Sequence, residues 1–326
     1  MIAPLALVAA GLTAFSAFSA QLTKATYVYK RVGDCEIKAD VYRTPGADVR
    51  PVVIWIHGGA LIFGDRGTIR PDQLARYLEA GFVLVSIDYR LAPETKLPAI
   101  LEDVRDAYQW VRQQGPGLFQ IDPDRVALVG NSAGGYLALM VGASVTPRPK
   151  AIASFYGYGD LTRDFTTRPD SQYLGLPKVS KEDAAKAVGS RVISESPLFP
   201  RVAFYNYTRQ TGRWTREVAG LDPRQRIKLS RLSPIRYVTK EFPPTILLHG
   251  DKDADVPYEE SVRMAAALKQ HAVPHQSVRM RGYDHLFDVF PTGWTRENAE
   301  PLGLQDPKVA AAYDDVIAFL QVHLAR

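Results

Sequence analysis

Gly130-Asn131-Ser132-Ala133-Gly134 has the G-x-S-x-G spacing. Small neighbours allow a sharp strand-to-helix turn that lifts the serine hydroxyl clear of the backbone. Such a hydroxyl becomes a nucleophile when a nearby base takes its proton. The chain has 6 histidines. His271, His275 and His323 read as surface positions on helices or strand entries, and His57 and His249 as turn residues. His285, in Gly282-Tyr283-Asp284-His285-Leu286-Phe287, follows a short strand-like run and is the expected base. An imidazole in that role needs a carboxylate to fix its tautomer. Three aspartates compete in His249-Gly250-Asp251-Lys252-Asp253-Ala254-Asp255-Val256-Pro257. Asp253 is the choice, with Asp251 and Asp255 as alternatives. The oxyanion formed by attack needs N–H donors. His57-Gly58-Gly59-Ala60 follows another apolar run, and its glycines let backbone approach a reacting carbonyl closely. Gly58 or Gly59, joined by Ala133, are the expected donors, and His57 reads as a buttress of that loop.

These groups need a scaffold. Alternation over 27–29 and 36–42, either side of Gly33-Asp34, predicts an antiparallel hairpin. Short apolar runs at 52–56, 83–87 and 126–129, with less pure ones at 152–155, 245–248 and 277–280, predict strands buried on both faces. Helical spacing appears at 72–79, 100–111, 132–141, 259–270 and 309–324. The alternation points to an α/β fold, a mostly parallel central sheet flanked by helices. Residues 158–237 break the rhythm: aromatics and helix-like pieces without a clean strand, far longer than a crossover needs. They read as an inserted cap.

Composition narrows the rest. Hydrophobic residues make up 46% and charged residues 23%, a globular balance. Lys+Arg 40 against Asp+Glu 35 gives +5, without a basic run or basic helix face, so nucleic acid is not an expected partner. The basic residues between 201 and 236 read as solvated surface. The lone cysteine, Cys35, excludes an intrachain disulfide and a cysteine-based zinc site, and its alternating segment makes it a buried structural thiol. Residues 4–20 are apolar, with a small-x-small triplet at Ala17-Phe18-Ser19, and resemble a secretory signal peptide with a weak n-region. The expected organisation is a leader over 1–20 and a hydrolase domain over 21–326. That leader places the protein in the periplasm or outside the cell, and no other stretch is long enough to span a bilayer.

Together, His57-Gly58-Gly59, Asp88-Tyr89-Arg90-Leu91-Ala92-Pro93-Glu94, the serine motif, the Asp253 segment and the His285 loop resemble the α/β-hydrolase superfamily. Within it, the chain is similar to hormone-sensitive-lipase-like and BD-FAE-like carboxylesterases. The resemblance implies that Asp88, Arg90 and Glu94 brace the oxyanion loop through buried charge, and that Asp103 is a scaffold residue. Ala60 and Asn131 depart from residues common in the lipase-like branch. A cap drawn from 158–237, with no room for one before Tyr27, favours the BD-FAE-like side. The implied chemistry is hydrolysis of small to medium carboxylic esters through an acyl-enzyme, needing neither metal nor organic cofactor. The partner is a small-molecule ester, with no stable membrane partner expected. Amide or peptide hydrolysis on the same fold is the alternative, and a non-catalytic binding protein a further one. An ordinary imidazole base predicts a rate rising between about pH 6 and 8.

Overall fold

The Gly33-Asp34 turn joins β1 (Thr23–Val32) to β2 (Cys35–Arg43) as an antiparallel hairpin, with Gly33 at φ +55°. The structure is a computed structural model and describes residues 22–289 and 303–325. The leader expected over 1–20 lies outside the described residues. The apolar runs form β3 (Arg50–Ile56), β4 (Val83–Ile87), β5 (Ile121–Asn131), β6 (Ala151–Phe155), β7 (Thr245–Gly250) and β8 (His275–Met280). They assemble into one eight-stranded sheet in the order β1-β2-β4-β3-β5-β6-β7-β8. The hairpin joins through an antiparallel β2–β4 pairing, and every pairing from β4 to β8 is parallel.

The long helices are α1 (Pro71–Glu79), α2 (Leu97–Phe119) and α3 (Ala133–Ser144). Between β6 and β7 come α4 (Asp164–Thr167), α5 (Ser171–Leu174), α6 (Lys181–Lys186), α7 (Leu198–Thr211) and α8 (Arg226–Ser230). Then follow α9 (Glu259–Gln270) and α10 (Pro307–His323). Successive strand side chains point to opposite faces. Val52, Ile54 and Ile56 therefore pack with α2, α3 and α9, while Val53 and Trp55 pack with α1 and α10. Both faces of the central strands are covered, which is why they read as unbroken apolar runs.

Three expectations need correction. Arg201 and Arg209, within the basic stretch read as solvated surface, are buried because each turns inward to a carboxylate, Glu94 and Asp255. β8 ends the row, and along it only Met280 is buried while Gln276, Ser277 and Arg279 are exposed. A strand at the sheet edge has no second neighbour, so burial on both faces does not extend to it. Cys35 is half-buried, because it sits beside the hairpin turn, where the first pair of the ladder meets solvent.

Among the described residues the segment between β6 and β7 holds helices, α7 the longest of them, and one isolated bridge, Gly64 with Ser196. It is tied to the sheet at specific points. Leu91 N–H donates to Ile193 O at 2.9 Å. Arg201 Nη2 lies 2.6 Å from Glu94 Oε2, with side chains 5% and 1% exposed, and donates to Ala92 O at 2.5 Å. Breaking a buried pair from one side strands a charge and costs about 3–5 kcal/mol, whereas replacing both partners with apolar groups costs far less. Glu94→Gln is expected to lower the urea midpoint accordingly, and Glu94→Met with Arg201→Met to recover most of the loss. An unchanged midpoint in Glu94→Gln would show that the pair does not hold the cap.

Candidate active site

The turn that carries Ser132 begins with contacts too close for side chains. A Cβ on Gly134 would lie 2.0 Å from Ile56 O, and one on Gly130 2.4 Å from the Gly134 carbonyl. Glycine at both positions lets β3, β5 and the start of α3 touch through backbone. Ser132, between them, takes φ 53° and ψ −120°, a left-handed conformation that non-glycine residues avoid. Its N–H donates to Phe155 O at 2.8 Å, so β6 holds the turn in place.

The loop after β3 lies directly alongside. A Cβ on Gly58 would be 3.2 Å from Ser132 Cβ. Gly59 has φ +100°, and a Cβ there would meet Phe63 O at 1.9 Å. Its carbonyl accepts from Ile62 and Phe63 N–H. Among the described residues, the N–H groups of Gly58, Gly59 and Ala133 donate to no turn or loop carbonyl. The first N–H groups of a helix have no intrahelical acceptor, so Ala133 at the start of α3 remains a free donor. The loop is braced by a neutral group: Tyr89 OH donates to His57 O at 2.9 Å and reaches Gly58 O at 3.1 Å. His57 stacks on the Tyr89 ring at 4.2 Å and donates from Nδ1 to Gly58 O at 2.7 Å. Burial pushes His57 down to about 4, which keeps it neutral.

The charged residues around Tyr89 act one step further out. Arg66 donates to Asp88 from N–H at 2.8 Å and from Nη1 at 2.5 Å. Burial pushes the Asp88 carboxyl up to about 7 despite that arginine. Arg90 holds Asp103 with two bonds of 2.7 Å, joined by Lys30 at 2.7 Å.

β7 and β8 bring Asp253 and His285 to the same end of the sheet. A Cβ on Gly250 would lie 2.3 Å from Tyr283 O, so the loops after these strands are in direct contact. His285 Nδ1 donates to Asp253 Oδ2 at 2.7 Å. Its Nε2 is 2.9 Å from Ser132 Oγ, placed to accept the hydroxyl proton. Asp253 Oδ1 accepts from Asp255 and Val256 N–H at 2.9 and 2.8 Å. His249, buried near the end of β7 and not in a turn, adds Nε2 at 3.0 Å from Asp253 Oδ2. Burial works against the Asp253 charge, but His285 and His249 outweigh it and hold the carboxyl below its usual range.

The competing aspartates point elsewhere. Asp251 accepts from Gly282 N–H at 2.7 Å and from Arg279 at 2.9 Å, tying the two loops together. Asp255 turns to the cap. Its Oδ1 accepts from Tyr205 OH at 2.7 Å, Arg209 Nη1 at 2.8 Å and Tyr173 OH at 2.9 Å. Its Oδ2 lies 3.8 Å from His285 Nε2. Burial disfavours the imidazolium, yet Asp253, followed by Asp255 and Asp284, pushes His285 up to about 9.

A second network lies behind the base. Asp288, buried, accepts from Tyr156 OH, from Tyr313 OH at 2.9 Å and from Gln73 Nε2 at 3.0 Å. Asn131 Nδ2 donates to Tyr156 OH at 3.2 Å, and the Tyr156 ring meets His285 edge-on at 4.6 Å. The serine turn and the histidine loop are thereby joined through one carboxylate. Sequence reasoning missed Asp288, and the only signal was a polar residue three positions beyond His285 in an apolar loop. It also missed Arg209 and its tyrosines, because the cap has no periodic pattern to point them inward. Among the described residues, no group of three or more His, Cys, Asp or Glu is arranged to hold a metal ion, and no helix is long and apolar enough to cross a membrane.

Known proteins match this architecture. Over 325 residues the chain is 31% identical to the non-reducing polyketide synthase pkbA of Emericella nidulans, a match covering 81% of this chain and 13% of the synthase. The chain thus spans about an eighth of the length of the curated relatives it matches. An alpha/beta hydrolase superfamily protein from Enterococcus faecalis superposes with a TM-score of 0.69 at 21% identity, covering 92% of this chain and 99% of that one. Carboxyl esterase 2 from the mycorrhizal fungus Tuber melanosporum superposes with a TM-score of 0.66 at 20% identity, covering 93% and 88%. Both share the fold. The BD-FAE family model matches residues 39–268, most of the chain. With its parallel sheet, flanking helices and matched span, this chain is a member of the BD-FAE family of α/β-hydrolase fold.

Proposed function

We propose that the chain is a serine carboxylester hydrolase acting through Ser132, His285 and Asp253 and an acyl-enzyme. One observation carries the reading: Ser132 Oγ, His285 and Asp253 form a continuous line of hydrogen bonds of 2.9 and 2.7 Å. That line ends beside unengaged backbone donors. Carboxyl esterase 2 of Tuber melanosporum, which shares the fold, is in keeping with ester chemistry.

In this mechanism Ser132 Oγ attacks the ester carbonyl carbon while its proton passes to His285 Nε2. The carbonyl π-electrons move onto oxygen, and the oxyanion takes hydrogen bonds from Ala133 N–H and from Gly58 or Gly59. Each such donor is worth roughly 3–4 kcal/mol. The C–O bond to the alcohol breaks, and His285 gives its proton to the departing alkoxide. Water then attacks the acyl-enzyme carbonyl, His285 takes the water proton, and that proton returns to Ser132 as the acid leaves. Asp253 stays ionised throughout, holding the productive tautomer and stabilising the imidazolium.

Hydrolysis of p-nitrophenyl esters from acetate to palmitate, compared between wild type and Ser132→Ala, tests the reading. The variant is expected to lose about 10⁴- to 10⁶-fold in kcat. Equal rates in both proteins would remove Ser132 from the mechanism. The pH profile gives a second test. His285 must be neutral to accept a proton, and its neighbours push it up to about 9 from the ordinary 6.5. The rising limb of kcat/KM therefore lies above the ordinary histidine range, between about pH 8 and 10. Asp255→Asn removes one of the charges responsible and shifts the limb toward lower pH. A limb centred at or below 6.5 in wild type would contradict this electrostatic arrangement.

A further inference from the structure

A narrow cleft of about 20 Å³ opens beside Ser132, enough for about one water-sized group. Tyr158, Phe165 and Trp214 form its aromatic wall, and Tyr205, Arg209 and Asp255 its polar side. Tyr158 is held rigidly. Its ring stacks on Tyr136 at 4.8 Å and meets the edges of Phe165 and Trp214 at 5.8 and 6.1 Å. It is only 4% exposed, and its hydroxyl has no hydrogen-bond partner among the described residues.

The hydroxyls around it are engaged. Tyr136 OH donates to Leu232 O, and Tyr205 OH to Asp255. The electrostatic neighbours of Tyr158 include Tyr89, which braces the oxyanion loop, and Asp255, which faces His285. Arg209 Nε is likewise buried without a partner. Asp255 Oδ2 carries the longer, 3.0 Å arm of the Tyr205 contact, lies 3.8 Å from His285 Nε2, and retains capacity to accept. A buried polar atom with no partner costs stability unless a ligand supplies one.

We infer that the Tyr158 hydroxyl and the Asp255 carboxylate read a hydroxyl group on the substrate close to the scissile bond. The substrate class is then a hydroxylated ester, either a 2-hydroxyacyl ester or a monoester of a 1,2-diol, and this rests on the esterase reading above. A hydroxyl fits because it accepts from Tyr158 while donating to Asp255, and because the cleft admits one such group. A methyl of the same size leaves the Tyr158 hydroxyl unpaired.

The test compares full-chain wild type and Tyr158→Phe by pH-stat on two pairs of equal shape. Ethyl glycolate is set against ethyl propionate, and 2-hydroxyethyl acetate against propyl acetate. In one pair, kcat/KM is expected to fall about tenfold or more on the hydroxylated member and less than about threefold on its alkyl twin. The responding pair shows whether the hydroxyl lies on the acyl or the alcohol side. The Tm of the variant is expected to be no lower than wild type, since no partner is stranded. In wild type alone, the hydroxylated-to-alkyl ratio of kcat/KM exceeds the same ratio for alkaline hydrolysis by about tenfold in the responding pair. Equal losses within both pairs, or a lowered Tm with uniform loss, overturn the inference and leave the esterase reading standing. Wild type as silent as Ser132→Ala on all four esters overturns both.

Discussion

The site depends on a place where three backbones meet with no side chain between them. Gly134 passes so close to Ile56 O that a Cβ would sit 2.0 Å away. That contact sets the first turn of α3 against the end of β3, and so puts Ser132 next to the loop carrying Gly58 and Gly59. Moving the two apart by the width of a methyl group would separate Ser132 from the Gly58 and Gly59 N–H groups by more than the proposed mechanism tolerates. The strained serine conformation follows from the same constraint: the chain must reverse from strand to helix within the space that the glycines leave. The surrounding bonds, Ser132 N–H to Phe155 O and Tyr89 OH to His57 O, hold the strained arrangement in place.

Electrostatics supply the second layer. Several aspartates crowd the loops after β7 and β8, and each has a different set of donors. Asp251 ties loop to loop, Asp253 holds the imidazole, Asp255 takes the cap, and Asp284 accepts the His285 N–H at 2.7 Å. Their summed field favours a positive His285, the charge that the imidazole acquires as the proposed reaction proceeds. Arg209 is flanked by Asp170 and Asp255, so the charge it brings is already matched.

The segment between β6 and β7 is more than a cover. Through Arg201 it reaches the Glu94 end of the Asp88-to-Glu94 segment, and through Arg209 it reaches the carboxylate beside the base. Cap and sheet are coupled at both sides of the cleft. The resemblance led to the expectation that buried charges in the Asp88–Glu94 segment brace the oxyanion loop. Asp88 does so through Arg66, further along the loop after β3; the contact beside the glycines is the neutral Tyr89, while Arg90 and Glu94 anchor α2 and the cap.

The sequence by itself determined the features whose cause is local. The serine turn is written in its glycines, the strands in short apolar runs bounded by turn residues, and the helices in their spacing. The Ser132, His285 and oxyanion-loop positions were legible because each follows a strand directly, and in a parallel sheet the ends of successive strands share one edge. Among the three aspartates the sequence favoured Asp253 but did not by itself exclude Asp251 or Asp255, because a shift of two residues in a loop alters direction without changing composition. Only the close packing of the loops after β7 and β8, through Gly250 and Tyr283, decided it. Nor were Asp288, Tyr158 and Arg209 legible as parts of the site. Their partners lie on elements far away in the chain, and a side chain's role there depends on strand order and on how the cap folds back, which no local pattern encodes.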